Sequence, residues 1–202
     1  MGYFPFFIDL ADKRGLVVGG GTVALRKVEK LLQYGPNLTV AAQTVLPEME
    51  DKTEITVLHE PFSPWMLDGM YFVIAATDDA AVNQEIARLC RERDVLVNVV
   101  DTPDACTFLF PALVKEGDLS IGISTGGTSP SASVWLKEQI GGILPENMEE
   151  ILNYLGFVRV RLKELVSEDK RSKLFADLFE ACLNHGRALT EEELNKILEE
   201  TT

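Results

Sequence analysis

A glycine-rich segment near the amino terminus has the composition of a phosphate-binding turn. The six residues from Gly19 to Ala24 fit the pattern G-x-G-x-x-A. In such a turn the first glycine allows a sharp bend from strand to helix, and Gly21 lets backbone N–H groups approach a pyrophosphate. The N-terminus of the following helix adds free N–H donors and a positive dipole. The segment therefore predicts a dinucleotide site, and the alternative is a plain glycine-rich turn.

The strand predicted after this turn ends without an acidic residue. NAD-binding domains usually place Asp or Glu there to hold the ribose hydroxyls. This chain has Ala41 and Ala42 followed by Gln43 and Thr44, which could bind a ribose through amide, hydroxyl or backbone groups. Because no acid repels a 2′-phosphate, the residues alone leave both NAD and NADP open.

Two further predicted strands end in polar residues. One is followed by Thr77, Asp78 and Asp79, and the other contains Asn98 and ends at Asp101. Ligands of doubly wound sheets lie at the carboxyl ends of strands, and a carboxylate at Asp101 could accept a proton beside a nicotinamide. The alternative is a turn residue or cap before the next proline. We expect Asp78 and Asp79 to cap the following helix.

The elements that must position these residues follow from the apolar pattern. Short apolar runs alternate with helical spacing up to about residue 112, which predicts an α/β domain with a Rossmann-type parallel sheet. The predicted strands are Phe7–Leu10, Gly15–Val18, Leu38–Ala42, Ile55–Leu58, Tyr71–Ala76 and Val95–Val100. The predicted helices span Val23–Tyr34 and Asp79–Arg93.

The remainder of the chain has a different pattern. Leu119–Ile123 alternates as a half-exposed strand does, and Ser129 with Pro130 is a good start for a helix. From residue 146 onward the spacing is helical, and Thr190 with Glu193 forms a capping box. One apolar seam has 4-3-4-3 spacing and consists of Ile151, Leu155, Val158, Leu162 and Leu165. We therefore predict three parts, namely residues 1–112, 113–145 and 146–202.

With these segments in view, the chain resembles the precorrin-2 dehydrogenase / sirohydrochlorin ferrochelatase family, the group to which the N-terminal part of siroheme synthase also belongs. The resemblance runs in order from about Phe4 to Leu144 and is looser beyond. The matching segments are Val17–Ala24 with Arg26 and Lys27, Ala75–Asp79, Asn83, Asn98–Asp101 with Pro103, and Ser124–Pro130. The glycine turn alone is not specific, whereas its combination with Asn98–Asp101 and Ser124–Pro130 is.

The resemblance implies an architecture and an activity. It implies a Rossmann domain, a small α+β dimerisation region and a helical C-terminal domain, assembled as a homodimer. The implied reaction is the NAD-dependent oxidation of precorrin-2 to sirohydrochlorin in siroheme biosynthesis, with insertion of ferrous iron in some members. By resemblance, Asp101 is the catalytic aspartate, and the cofactor contacts are Gly19, Gly21, Thr22, Val23, Gln43, Thr44, Thr77 and Asn98.

The implied tetrapyrrole substrate carries eight carboxylates. Backbone donors around the second glycine turn suit one or two of them, because amide groups in turns and at helix starts bind anions. We therefore expect a substrate-binding loop that consists of Ser124, Gly126, Gly127, Thr128 and Ser129. A simple cap and turn is the alternative. A dense basic cluster between Arg159 and Lys173 is a further place to look for carboxylate partners, although such clusters are commonly solvated helix faces.

Composition restricts the remaining possibilities. The formal net charge is −13, which disfavours nucleic acid and anionic membranes as partners. The three cysteines are widely spaced and favour free thiols in a reducing cytosol, and the isolated His59 and His185 indicate no metal site. We read no signal peptide at the amino terminus, and we expect a soluble, cytoplasmic enzyme.

Two alternatives of different class stay open at this stage. One is a non-catalytic NAD-sensing regulatory module, although such modules usually keep the ribose acid and would not need the Ser124–Pro130 loop. The other is a different NAD(P) oxidoreductase. The short-chain type requires Tyr-x-x-x-Lys, and none of the four tyrosines has a lysine four residues on.

Overall fold

The computed structural model describes residues 3–163 and 166–201. Contacts between residues divide the chain into two compact units, Met1–Phe110 and Pro111–Thr202. The finer division at residues 112 and 145 stays a prediction.

The first unit is built on a five-stranded parallel sheet. Its strands are β1 (Arg14–Val18), β2 (Asn37–Ala41), β3 (Ile55–Leu58), β4 (Phe72–Ala75) and β5 (Leu96–Val99). They are arranged in the order β3-β2-β1-β4-β5, and every neighbouring pair is parallel. The chain starts at the centre and winds outward in both directions, so the strand order reverses between β1 and β4. Open sheets of this kind bind ligands at that reversal.

Helices cover both faces of the sheet. They are α1 (Thr22–Leu32), α2 (Pro47–Glu50) and α3 (Ala80–Glu92), with 3₁₀ turns at Pro64–Leu67 and Pro103–Ala105. Successive residues of a strand point to opposite faces. In β1, Val17 packs into the cluster beneath α1, whereas Leu16 and Val18 join the cluster beneath α3. All three side chains are at most 2% exposed, which explains why the strand is apolar throughout.

The predicted α/β class, its parallel sheet and five of the six predicted strands in this unit are confirmed. The predicted strand Phe7–Leu10 is wrong, because the structure has no strand there. Phe6 and Phe7 are 76% and 78% exposed, and Leu10 packs against the core. The chain then turns at Asp12, which has a left-handed backbone (φ 60°), before it enters β1.

The second unit begins with an antiparallel hairpin and continues as helices. Its elements are β6 (Ala112–Glu116), β7 (Leu119–Ile123), α4 (Pro130–Ile143), α5 (Met148–Leu162), α6 (Glu168–His185) and α7 (Glu191–Thr201). The predicted strand at Leu119–Ile123 and the helix start at Ser129–Pro130 are confirmed, since Ser129 Oγ accepts from the Ala132 N–H at 3.2 Å.

The last three helices of this unit share one apolar cluster. Ile151, Val158 and Leu162 of the predicted seam are at most 2% exposed and pack in this cluster with α6 and α7, while Leu155 lies partly buried at its edge. Leu165 of the seam lies outside the described residues. The capping box is confirmed by two bonds, from the Thr190 N–H to Glu193 Oε2 at 2.8 Å and from the Glu193 N–H to Thr190 Oγ1 at 3.3 Å.

Candidate functional site

The parallel sheet brings most of the predicted site residues of the first unit to one edge. The turn Gly19–Gly21 follows β1, Gln43 and Thr44 follow β2, Thr77 follows β4, and Asp101 follows β5. These strands are hydrogen-bonded neighbours that run in the same direction, so their carboxyl ends lie side by side. Residues that are 80 positions apart in sequence therefore lie at the same carboxyl edge of the sheet, which we call the rim.

Two of the three glycines are required by the protein itself. A Cβ at Gly19 would lie 2.3 Å from the Ala76 carbonyl oxygen, and Gly19 also has a positive φ of 129°. A Cβ at Gly20 would lie 1.9 Å from the Thr44 carbonyl oxygen. The backbone of the turn is thus packed against the ends of β4 and of the β2 loop, as a sharp strand-to-helix bend requires.

Gly21 differs from its two neighbours. A Cβ there would meet no heavy atom within 4 Å, and the backbone is extended, with φ −90° and ψ −175°. None of the described residues requires glycine at this position. A glycine that faces open space at a helix start fits a site where a ligand approaches the backbone closely, so the turn passes this test for a bound pyrophosphate.

The N-terminus of α1 is suited to an anion. Gly21 is the N-cap and provides no side-chain hydrogen bond, and the first turn contains no acidic residue. The first N–H groups of a helix have no partner within the helix. Thr22 and Val23 of this first turn are exposed. Together with the helix dipole, these features provide a positive site for phosphate.

The loop that follows β2 is attached to the glycine turn. The Leu46 N–H donates to the Gly20 carbonyl at 3.0 Å, and the Thr44 carbonyl packs on Gly20. Gln43 and Thr44 are exposed. Their position beside the turn is compatible with ribose contacts, which stay a prediction.

The hydrogen-bonding groups of Thr77 are used within the turn between β4 and α3. Its N–H and its Oγ1 donate to Asn83 Oδ1 at 3.2 and 2.7 Å, and Asn83 Nδ2 donates to the Thr77 carbonyl at 3.0 Å. Asp79 caps α3 as predicted, because its Oδ1 accepts from the Ala81 and Val82 N–H groups. The buried Asn83 therefore shapes this part of the rim.

Asn98 lies inside β5 and is 6% exposed. Its Nδ2 donates to the Phe108 carbonyl at 3.1 Å and approaches Cys106 Sγ at 3.6 Å. Asn98 thus attaches the segment that returns after β5. A contact between Asn98 and a cofactor stays a prediction, and the bonds of its amide nitrogen give it a structural role as well.

Asp101 has an unusual backbone and an available carboxylate. Its φ is +57°, in the left-handed region that few residues other than glycine adopt. The following 3₁₀ turn has Thr102 as its N-cap and no side-chain cap bond, so the alternative role of Asp101 as a cap is not realised. Within residues 3–163 and 166–201 its exposed carboxylate has no hydrogen-bond or ion-pair partner.

The thiol of Cys106 holds the turn that carries Asp101. Its Sγ accepts from the Val99 N–H at 3.1 Å and lies 3.3 and 3.4 Å from the Val99 and Thr102 carbonyls, to which the thiol can donate. Burial raises the pKa of this thiol, so it is protonated at neutral pH. Sequence reasoning identified Cys106 only as a free thiol, because its contacts depend on the chain folding back on β5.

The predicted substrate loop of the second unit is stabilised by its own hydrogen bonds. The Gly126 N–H donates to Ser124 Oγ at 3.2 Å, and Thr128 Oγ1 donates to the Thr125 carbonyl at 2.6 Å. Gly126 and Gly127 have positive φ values of 62° and 85°, which glycine adopts without strain. The loop ends at Ser129, the N-cap of α4. Substrate binding by this loop stays a prediction.

Across the described ranges, no group of three or more His, Cys, Asp and Glu side chains is arranged to hold a metal ion. His59 lies beside Glu50 and His185 beside Glu193. The helices described here are too short or too polar to cross a lipid bilayer.

Comparison with known proteins agrees with this site. Residues 6–112 match the family described as "Putative NAD(P)-binding". The chain belongs to this family. The match covers the whole five-stranded sheet, the glycine turn and Asp101, and it confirms the predicted NAD(P)-binding domain, while the residues that contact the cofactor stay a prediction.

Relatives extend the similarity beyond the first unit. The chain is 37% identical over 183 residues to a siroheme synthase of Salmonella arizonae and 36% identical to one of Citrobacter koseri. It spans 40% of the length of each of these relatives. A solved structure, "SirC, precorrin-2 dehydrogenase", matches with a TM-score of 0.77 and 28% identity and covers 98% of both chains. The family resemblance inferred from the sequence is confirmed, as is the predicted fold class.

Proposed function

We propose that this protein is an NAD-dependent dehydrogenase that oxidises precorrin-2 to sirohydrochlorin. The observation that carries the proposal is the free carboxylate of Asp101, held on a left-handed turn at the same sheet edge as the phosphate-binding glycine turn. The solved precorrin-2 dehydrogenase, which matches over 98% of this chain, supports the reaction, and the siroheme synthases support a place in siroheme biosynthesis.

The chemistry assigns separate tasks to the residues of the site. Conversion of precorrin-2 to sirohydrochlorin removes one hydride and one proton, and bound NAD supplies the hydride acceptor. The backbone donors at the start of α1 bind the pyrophosphate, and Gln43 with Thr44 binds the ribose. The Asp101 carboxylate accepts the proton. The Ser124–Ser129 loop binds substrate carboxylates.

The test compares Asp101→Asn with the native protein. Asparagine tolerates the left-handed backbone as well as aspartate does, so the turn should persist while the proton acceptor is lost. Purified protein is incubated with precorrin-2 and NAD, and both sirohydrochlorin absorbance and NADH are recorded. We expect turnover to fall by about 10²- to 10⁴-fold, the usual contribution of a general base, with the Kd for NAD unchanged.

Asp104→Asn is the matched control, because Asp104 is exposed three residues further on and the charge change is the same. It should retain native turnover. Native turnover by Asp101→Asn would contradict the assigned role of Asp101. A native protein that binds NAD and oxidises nothing would favour the regulatory module instead. A parallel incubation with ferrous iron after oxidation tests the ferrochelatase activity that the resemblance implies for some members.

We also propose that the protein is a cytoplasmic homodimer. Helix α4 exposes a set of large apolar side chains that a monomer would leave in water, namely Val134, Trp135, Leu136 and Ile143. The three free cysteines, two of them buried, fit a reducing compartment. A molar mass of one chain by light scattering at working concentration would contradict the dimer.

A further inference from the structure

Lys27 occupies an uncommon position for a lysine. It lies on α1 and is partly buried, and its Nζ is 3.9 Å from the centroid of the Phe110 ring. Phe110 itself packs against the apolar cluster beneath α1. A cation over an aromatic face at this distance is attracted by the ring. The ammonium is therefore held at the side of α1, where it cannot extend freely into solvent.

The surroundings of Lys27 contain charges of both signs. The pKa of its amine is lowered to about 8, mainly by burial and then by the charge of Lys30 on the same helix, whereas the charge of Asp101 favours the protonated form. Asp101 and Cys106 belong to the segment after β5. Phe110 belongs to that same segment, so its contact with Lys27 places the ammonium beside the part of the chain that carries Asp101.

Lys27 nevertheless has no ion-pair partner within the described part of the chain. Several other cations of this protein are paired. Arg88 contacts Glu85 and Glu92, and Arg187 contacts Glu193. For Lys27 the part of the chain that is described offers no carboxylate within ion-pair distance. A partly buried ammonium without a carboxylate partner is suited to an anionic ligand.

The negative net charge of the chain makes a local cation important for binding an anionic substrate. The net charge is −13, so the protein repels a substrate with eight carboxylates unless local cations bind some of those carboxylates. To react, the substrate ring must approach the Asp101 carboxylate, which is negatively charged like the carboxylates that the ring carries. A cation beside Asp101 would offset that repulsion where the ring has to lie.

We propose that Lys27 binds one carboxylate of the tetrapyrrole substrate and so places the ring beside Asp101. This inference rests on the proposed dehydrogenase function and adds a substrate contact to the same rim. A pyrophosphate of the cofactor is the other anion within the site, and the experiment separates the two.

The test uses Lys27→Met, which keeps a long side chain and removes the charge. We expect the KM for precorrin-2 to rise by about 10- to 150-fold, the effect of losing one charged hydrogen bond, with kcat and the calorimetric Kd for NAD changed less than about twofold. Lys27→Arg should restore most of the substrate affinity. Native substrate affinity should fall above about pH 8, where the Lys27 ammonium loses its proton, and should not fall in Lys27→Arg.

Lys13→Met is the matched control. Lys13 Nζ also lies over an aromatic ring, 5.4 Å from the Tyr71 centroid, but at the amino ends of β1 and β4, the opposite edge of the sheet. Lys13→Met changes the net charge by the same amount as Lys27→Met and should leave the KM for precorrin-2 unchanged. If Lys13→Met raises that KM as much as Lys27→Met does, the effect belongs to net charge and the inference is wrong.

The outcomes also distinguish this inference from the proposed function. A native protein that fails to oxidise precorrin-2 refutes the function, and the affinity for sirohydrochlorin, titrated by absorbance, then tests Lys27 directly. Equal tetrapyrrole affinity in the native protein and Lys27→Met overturns the inference. Loss of NAD affinity in Lys27→Met with unchanged tetrapyrrole affinity also overturns it and assigns the ammonium to the pyrophosphate.

Discussion

Substitution of Gly21 by alanine should separate cofactor binding from folding. The added methyl group meets no protein atom within 4 Å, and the extended backbone at Gly21 suits alanine. The folding cost is therefore limited to the poorer N-cap preference of alanine, at most about 1 kcal/mol. For a unit of this size the melting temperature should fall by no more than about 6 °C.

The effect on cofactor binding should be larger. A methyl group at Gly21 would occupy space through which a pyrophosphate reaches the N–H groups of α1. Each hydrogen bond to a charged group contributes about 1.5–3 kcal/mol, and about 1.4 kcal/mol corresponds to a tenfold change in affinity. Loss of one such bond predicts a Kd for NAD that is about 10- to 150-fold higher.

The assay pairs calorimetric titration of NAD with thermal melting of the apoprotein. Gly20→Ala is the matched control, because its Cβ would lie 1.9 Å from the Thr44 carbonyl oxygen and should destabilise the fold itself. The reasoning is refuted if Gly21→Ala binds NAD with native affinity. It is equally refuted if Gly21→Ala unfolds as readily as Gly20→Ala, since Gly21 would then be required by the protein.

Two further substitutions test contacts around the rim and in the helical part. Asn83→Ala removes three hydrogen bonds to Thr77, so the free energy of unfolding in urea should fall by about 1–3 kcal/mol, and a fall below about 0.5 kcal/mol would contradict those contacts. The hydrogen bond from Arg187 holds the pKa of Glu193 below its usual range. The ionised Glu193 therefore stabilises the fold above about pH 4.3, and this stabilisation is lost as the pH falls towards the lower pKa of the folded state. The melting temperature of Glu193→Gln should therefore decrease less upon acidification than that of the native protein. An unchanged pH dependence would contradict that role.

The sheet could be predicted because each strand is buried on both faces. Val17 and its neighbours must be apolar wherever helices cover a parallel sheet, and the order of strands and helices then follows from the turns between them. The predicted strand at Phe7–Leu10 failed because an apolar run does not reveal whether a neighbouring strand is present to pair with it. Phe7 is largely exposed, so burial in the core of this unit does not explain why this residue is apolar.

The rim could be predicted only in part, for a similar reason. The glycine turn and Asp101 each follow a strand directly, and a parallel sheet places such residues at one edge. Cys106 and Lys27 acquire their neighbours because the segment after β5 folds back beside the strand tip and α1. Their contacts connect positions that are far apart in sequence, as from Lys27 to Phe110, and no local spacing encodes them.

The backbone at Asp101 also bears on why a carboxylate is present there. A left-handed residue is accepted most easily as glycine, and next as asparagine or aspartate. The conformation alone therefore does not require a charge, and Cys106 already supplies the bonds that hold the turn. The carboxylate of Asp101 supports no cap and no ion pair among the described residues. A charge that neither the backbone nor the packing requires, placed at the carboxyl edge of the sheet, supports the role of proton acceptor that we propose for Asp101.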